Sequence, residues 1–448
     1  MPDASINSNA HLPDAVSAPS VSLAERFPWV ILWVGLFVRL AFMTFAHTWH
    51  VRAHWDHFEF GYEMGRIARS LVEGYGYASP FWGHTGPTAW EPPLYPWLLA
   101  AVFKVCGVYT PLAAWVTLAI NCVLGAFTLP AVWRISVRAF NRKVAVWATW
   151  IWAIYPAAMQ YDVKWIWEMT LTCFLFTWAF ALALKMRGVG EAGSDPATHA
   201  TPGRWALFAV LWALIALSNP SLQLFLPACG LWILWGSPHW KRQLSYGVMA
   251  ALIFMACLAP WTYRNYRVFR HFVPLRSDFG FELFNGNGPG ATGMIREYDQ
   301  PFESPNQLNL YKQMGELAYV RWHGEVAKRF IAVHPLRFWK LTGERIFMYW
   351  AGVPEPIGGS WSSHAIRGIN FAFASLAGLL GLVLAMRRRV PARWVFFWAF
   401  ALLPLTYYFI TVHARFRHPL EPLIDVLGVY LFQSAEKCWK IRWFRRHA

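Results

Sequence analysis

Apolar residues in this chain gather into long runs, not into the narrow stripes of a soluble amphipathic helix. The first run is Pro28–Ala46. Others fall near 111–133, 144–160, 165–184, 205–218, 220–236, 243–261, 366–386, 393–411 and 419–435. Most approach the ~20 residues that an α-helix needs to cross a bilayer. The pattern predicts an all-α polytopic membrane protein with about ten transmembrane helices, since helices satisfy their backbone groups internally. Two connections are long, 47–110 and 262–365, and both carry helical periodicity of their own.

In the first long connection, a helix from His57 to Gly74 would put Glu59, Glu63 and Arg66 on one face and Phe60, Met64, Ile67 and Leu71 on another. Gly74–Pro93 is dense in Gly and Pro and predicts a structured turn region. It is not a phosphate-binding loop, because no helix start follows a strand there. Pro93–Gly107 is apolar but short, follows a Pro pair and contains Lys104, so it is expected to lie at the interface or re-enter without crossing. In the second connection, Asn306–Val333 has apolar residues at helical spacing between Ser304-Pro305 and His334-Pro335. The stretch LRFWKLTGERIFMYW mixes aromatics and bases, as a helix on the membrane surface does.

Charge sets the orientation. A cytoplasmic N-terminus places Arg134, Arg138, Arg142, Lys143, Lys185, Arg187, Arg204, Lys241, Arg242, Arg387, Arg388, Arg389 and Arg393 on the cytoplasmic side, with the basic tail. Both long connections then face outward. The expected location is the inner (plasma) membrane. Only 14% of residues are charged, against about 25% in soluble domains. The net charge of +16 follows from topology. Its bases lie in short loops and not on one soluble face, which argues against nucleic-acid binding. The six Cys show neither a disulfide framework nor metal-ligand spacing. Residues 1–26 lack periodicity and read as disordered, with no cleaved signal peptide. Arg39 interrupts the first run toward its outer end and is expected to snorkel to the headgroups.

Several outward residues have the chemistry of a site. Asp56, Glu59 and Glu63 crowd the start of the first connection, where they form either a solvated helix face or a set of catalytic acids. Asp162, Lys164 and Glu168 form a third acidic group in YDVKWIWEM. Glu168 is there either to pair with Lys164 or to serve a site. Arg264, Asn265, Arg267, Arg270 and Arg276 in one stretch, and Arg415, Arg417 and His418 with Glu421 in another, break the positive-inside bias. They suit an anionic headgroup or phosphate.

The segments EMGRIARSLVEGYGYASPF, GPTAWEPPLYPWLLAAVFKVCG, KWIWEMTL, PWTYRNYRVF with VPLRSDFG, and RFRHPLEP resemble glycosyltransferase family 39, one of the C-type (GT-C) polytopic glycosyltransferases. Protein O-mannosyltransferases and lipid A aminoarabinose transferases share that fold. The resemblance covers most of residues 28–435. It implies inverting transfer of a sugar from a polyprenyl-phosphate donor to an acceptor at the outer face, the acceptor being protein, lipid or glycan. The family places an Asp-Glu pair early in the first outer loop. This chain lacks the pair, and Glu63 or Glu59 is the nearest counterpart, with Asp56 third. A Lys that the aminoarabinose transferases carry before a Pro pair is here Glu91. Trp90 and Tyr95 of the same stretch join the substrate-binding candidates, with Asp162, Lys164, Glu168, Arg264, Asn265, Arg276, Arg415, Arg417 and His418.

The implied division is a cytoplasmic tail, 1–27; a transmembrane catalytic module, 28–261, including outer loop 47–110; a large outer loop, 262–365; C-terminal transmembrane helices, 366–435; and a basic cytoplasmic tail, 436–448. No cofactor is expected, although clustered acids would suit a divalent metal. The rival reading is a lipid or sugar-lipid transporter or flippase. Asn219-Pro220-Ser221 is the clearest helix break in the chain, and it falls between spans and not inside one.

Overall fold

The computed structural model describes residues 26–51, 60–191, 199–235, 237, 239–353 and 361–447, without the side chains of 297, 361–367 and 436–447. The described chain is helical, and its only β-pairings are isolated bridges, Ala78 with Pro87 and Met294 with Val412. Among the described residues four helices are long and apolar enough to cross a membrane: α4 (Pro111–Ala139), α7 (Met169–Met186), α10 (Trp240–Phe269) and α15 (Trp361–Arg387). α1 (Trp29–Phe45) and α8 (Pro202–Ala216) are shorter apolar helices, as is α3 (Leu94–Cys106). α3 has 13 residues and is about 20 Å long, short of the ~30 Å hydrocarbon core.

Two of the continuous runs are broken. The run near 144–160 divides into α5 (Arg142–Ile154) and α6 (Pro156–Val163). Pro156 forces Tyr155 into an extended conformation and has no N–H for the carbonyl of Trp152. The run near 393–411 divides at Pro404 into α16 (Arg393–Leu402) and α17 (Leu405–Phe409). Arg39 answers the first break. It is fully buried and does not snorkel, contrary to the sequence expectation. It donates to the carbonyls of Ala153 at 2.6 Å and Trp152 at 3.2 Å, and its Nε pairs with Asp162 at 2.7 Å. Thr170 holds the other carboxylate oxygen at 2.8 Å. The pair fits because Gly125 on α4 has no Cβ, which would overlap the carboxylate.

The outer segments pack on one another. α2 (Glu63–Val72) is the short helix of the first loop. The second loop holds α11 (Phe279–Asn287), α12 (Pro305–Met314), α13 (Glu316–Val333) and α14 (Pro335–Ala351). The single helix expected over Asn306–Val333 is two, because Gly315 turns with φ +74°. Phe81 and Trp90 of the first loop share an aromatic cluster with Phe281, Tyr311 and Tyr319 of the second. At its edge the Glu316 carboxylate accepts from the Ala89 N–H at 2.7 Å, Ser277 at 2.7 Å, Tyr311 at 2.8 Å and the Thr88 hydroxyl. α18 (Glu421–His447) closes the chain against α15.

Candidate active site

One end of the helix bundle and both long loops enclose a cavity of about 760 Å³. Four segments supply most of its charged and indole-bearing lining. The first loop gives Tyr62, Glu63, Trp90 and Glu91. The turn before α7 gives Trp165, Trp167 and Glu168. The second loop gives Arg276 and Glu282, and the segment 410–416 gives Arg415.

Local backbone chemistry aims each group. Tyr62 has φ +51°, an uncommon state for a non-glycine residue, and Glu63 follows it as the first residue of α2. The Tyr62 ring is held edge-on to Trp167 at 4.9 Å and Phe302 at 5.2 Å. Gly61, at φ +81°, passes so close to the Ile166 carbonyl that a Cβ would stand 2.6 Å from it. The first loop is thus pressed against the turn that carries Trp167 and Glu168. On the other wall, Arg276 donates from Nε to the Trp90 carbonyl at 3.2 Å and approaches Glu91 at 3.4 Å, while its guanidinium also pairs with Asp278.

Arg415 is bound differently. Its guanidinium lies 4.2 Å from the centre of the Trp167 ring and 5.3 Å from that of Phe416, and its buried Nε has no hydrogen-bond partner among the described residues. Aromatic contact holds a cation's face without consuming its N–H edge. Glu168 is the complement, with a buried Oε2 that also lacks a partner. Burial raises the pKa of Glu63 above the usual 4.5, with Arg66 and Arg415 opposing. Burial also lifts Glu91 to about 7, against the pull of Arg276, and Glu168 to about 8, with the charge of Glu91 adding to the shift. Protons and negative charge are both easily exchanged in such a site.

Of the residues singled out from sequence, Glu63, Glu168, Trp90, Arg276 and Arg415 line this cavity. Asp56 and Glu59 lie outside the described residues. The others serve the scaffold. Asp162 is the buried partner of Arg39. Lys164 is exposed while Glu168 is buried, and of the two alternatives for Glu168 the i+4 pair does not form. Arg264 donates to the carbonyls of Thr88 and Tyr77, each at 2.6 Å, and staples the first loop to α10. Asn265 donates to the Val273 carbonyl at 3.0 Å. Arg417 and His418 both hold Glu421, at 3.3 and 3.0 Å, below the cavity wall that Glu421 forms. Tyr95 is buried in the main apolar core. Glu91, Trp167 and Glu282 escaped the sequence reading. Glu91 was visible only as the acid of WEPP, and Trp167 was one aromatic among 29 Trp. Among the described residues no three His, Cys, Asp or Glu side chains gather as a metal site.

This chain has the GT-C fold, in which helical spans carry packed loops over a cavity. It is similar to the oligosaccharyltransferase of Archaeoglobus fulgidus in the apo form, with a TM-score of 0.52 at 14% identity over 93% of this chain and 51% of that one. The AglB structure from the same organism, in complex with an inhibitory peptide and a dolichol-phosphate, gives 0.51 at 13% identity, over 94% and 51%. This chain therefore spans about half the length of those proteins. ArnT from Cupriavidus metallidurans bound to undecaprenyl phosphate covers 91% of this chain and 78% of its own at 13% identity, with a TM-score of 0.41. At such identities the likeness concerns the fold. No family model and no curated protein sequence matches the chain.

Proposed function

We propose that this protein is an inverting glycosyltransferase that moves a sugar from a polyprenyl-phosphate-linked donor to an acceptor at the outer face of the membrane. The observation that carries this reading is the presence in one cavity of a buried carboxylate, Glu63, set by the strained backbone of Tyr62, and a guanidinium, Arg415, whose Nε has no partner among the described residues. An acceptor hydroxyl attacks the anomeric carbon as the bond from that carbon to the phosphate oxygen breaks. The electron pair leaves on the lipid phosphate, and the acceptor's proton goes to Glu63. Arg415 meets the charge developing on the phosphate, and Arg276, already paired with Glu91 and Asp278, contributes a more distant positive field. The AglB complex supports the class of lipid carrier, since it holds a dolichol-phosphate.

The accompanying topology has ten spans, the broken α5–α6 and α16–α17 each counting once. The N-terminus is cytoplasmic, in an inner (plasma) membrane, and the cavity faces outward. In this reading Arg415 supplies the positive charge that the leaving group needs. Transfer is therefore expected to proceed unchanged in EDTA, and a rate restored only by added divalent ion would reverse that expectation.

The decisive experiment incubates the purified full chain with a radiolabelled polyprenyl-phosphate sugar and candidate protein, lipid and glycan acceptors. A transferase releases polyprenyl phosphate and labels an acceptor. A flippase moves the labelled lipid between leaflets and releases nothing.

A further inference from the structure

A second concavity, about 810 Å³, lies on the exposed flank of α10, and no residue lines both it and the reaction cavity. α9 (Phe225–Leu234), the flank of α10 and the segment 272–275 form its walls. α10 is the least enclosed of the four long spans, with 17% of its apolar window buried against 78% for α7. The groove is graded. Leu226, Phe254 and Met255 line its deep end, and Thr262, Tyr263 and Tyr266 its outer end. From Phe254 to Tyr266 the helix rises about 18 Å, close to half of a ~30 Å hydrocarbon core. The groove thus runs the depth of one leaflet.

The rim above it is basic. Arg267 sits one residue beyond Tyr266 and receives support from Tyr263, whose hydroxyl accepts from Nη1 at 2.8 Å. Arg270 follows at the end of α10. Both are exposed, and among the described residues no carboxylate pairs with either. Apolar depth, a hydroxyl-bearing neck and unpaired guanidinium groups match one amphiphile with a negative head.

We infer that this groove holds one anionic phospholipid of the outer leaflet, with an acyl chain along α10 and its phosphate at Arg267 and Arg270. The site is accessory. Its wall at Pro274 and Leu275 leads directly into Arg276, so an occupant braces the segment that carries a cavity residue.

The test uses the full chain in mild detergent and counts retained lipid by native mass spectrometry. The probes are palmitoyl-oleoyl phosphatidylglycerol, the matching phosphatidylcholine and undecaprenyl phosphate. Phosphatidylglycerol is expected at one copy per chain, at least tenfold above phosphatidylcholine. Ala259 faces the groove and is exposed, so Ala259→Trp should fill the groove and remove retention while the melting temperature holds. Arg267→Gln with Arg270→Gln should leave the groove open and abolish the preference between the two phospholipids. Equal retention of both by the native chain, retention unchanged by Ala259→Trp, or stoichiometric displacement by undecaprenyl phosphate would overturn the proposal.

Discussion

Two carboxylates and two arginines with similar sequence surroundings have separate fates in this molecule, and partners decide which. Asp162 and Glu168 are six residues apart. The first is consumed by Arg39 and Thr170, and the second keeps a buried oxygen open. Arg417 is taken by Glu421 and Ser375, whereas the Arg415 guanidinium rests on rings among the described residues. Substitution should separate them. Glu63→Gln is expected to abolish transfer in a chain that still folds. The native rate should rise with pH through a value above 4.5, because the base acts when ionised and burial raises its pKa. A profile already flat from pH 4.5 upward would contradict this role. Arg415→Ala should lower kcat by 10²–10³, about 2.7–4 kcal/mol of leaving-group stabilisation, and Arg415→Lys should recover little of it, since an ammonium does not stack on Trp167 in the same way.

Elements are joined by buried charges where their backbones break. Arg39 supplies donors to the two carbonyls left open where α5 ends before Pro156, so α1, α5 and α6 depend on one side chain. Arg39→Leu alone should cost about 3–5 kcal/mol, because it strands the buried Asp162 carboxylate. Arg39→Met combined with Asp162→Leu should cost less than the sum of the single changes, as read by a double-mutant cycle on thermal unfolding in detergent. Glu316 plays the equivalent part between the two outer loops. Its replacement by Ala leaves the Ala89 N–H and three hydroxyls without their acceptor. Limited proteolysis of that variant should cut the outer loops first, with the spans intact.

At the scale of the whole molecule, the outer cavity trades stability for reactivity. Glu91 and Glu168 bind their protons more tightly folded than unfolded, with folded values of about 7 and 8. Their stabilising contribution is complete below the usual 4.5 and is lost as pH rises through 7 and 8. Thermal unfolding should therefore shift to lower temperature between pH 6 and 9, and Glu91→Gln with Glu168→Gln should flatten that trend. Orientation has its own check. In a background lacking Cys106 and Cys257, an impermeant maleimide should label Tyr75→Cys in intact cells, as a residue of the first outer loop, and should spare Lys241→Cys.

The sequence alone determined that the chain is helical, membrane-embedded and built around two long connections, because runs near 20 residues are a local property. It also placed Glu63, Glu168, Arg276 and Arg415 among the candidates. What only the tertiary structure decided was which charges are spent. A run of apolar letters does not show that two carbonyls are left open where α5 ends before Pro156, or that an arginine more than a hundred positions away will take them. Nor does WEPP reveal that Glu91 faces Arg276 across 185 positions. Pairing energies depend on distance and on removal from water, and the folded chain sets both.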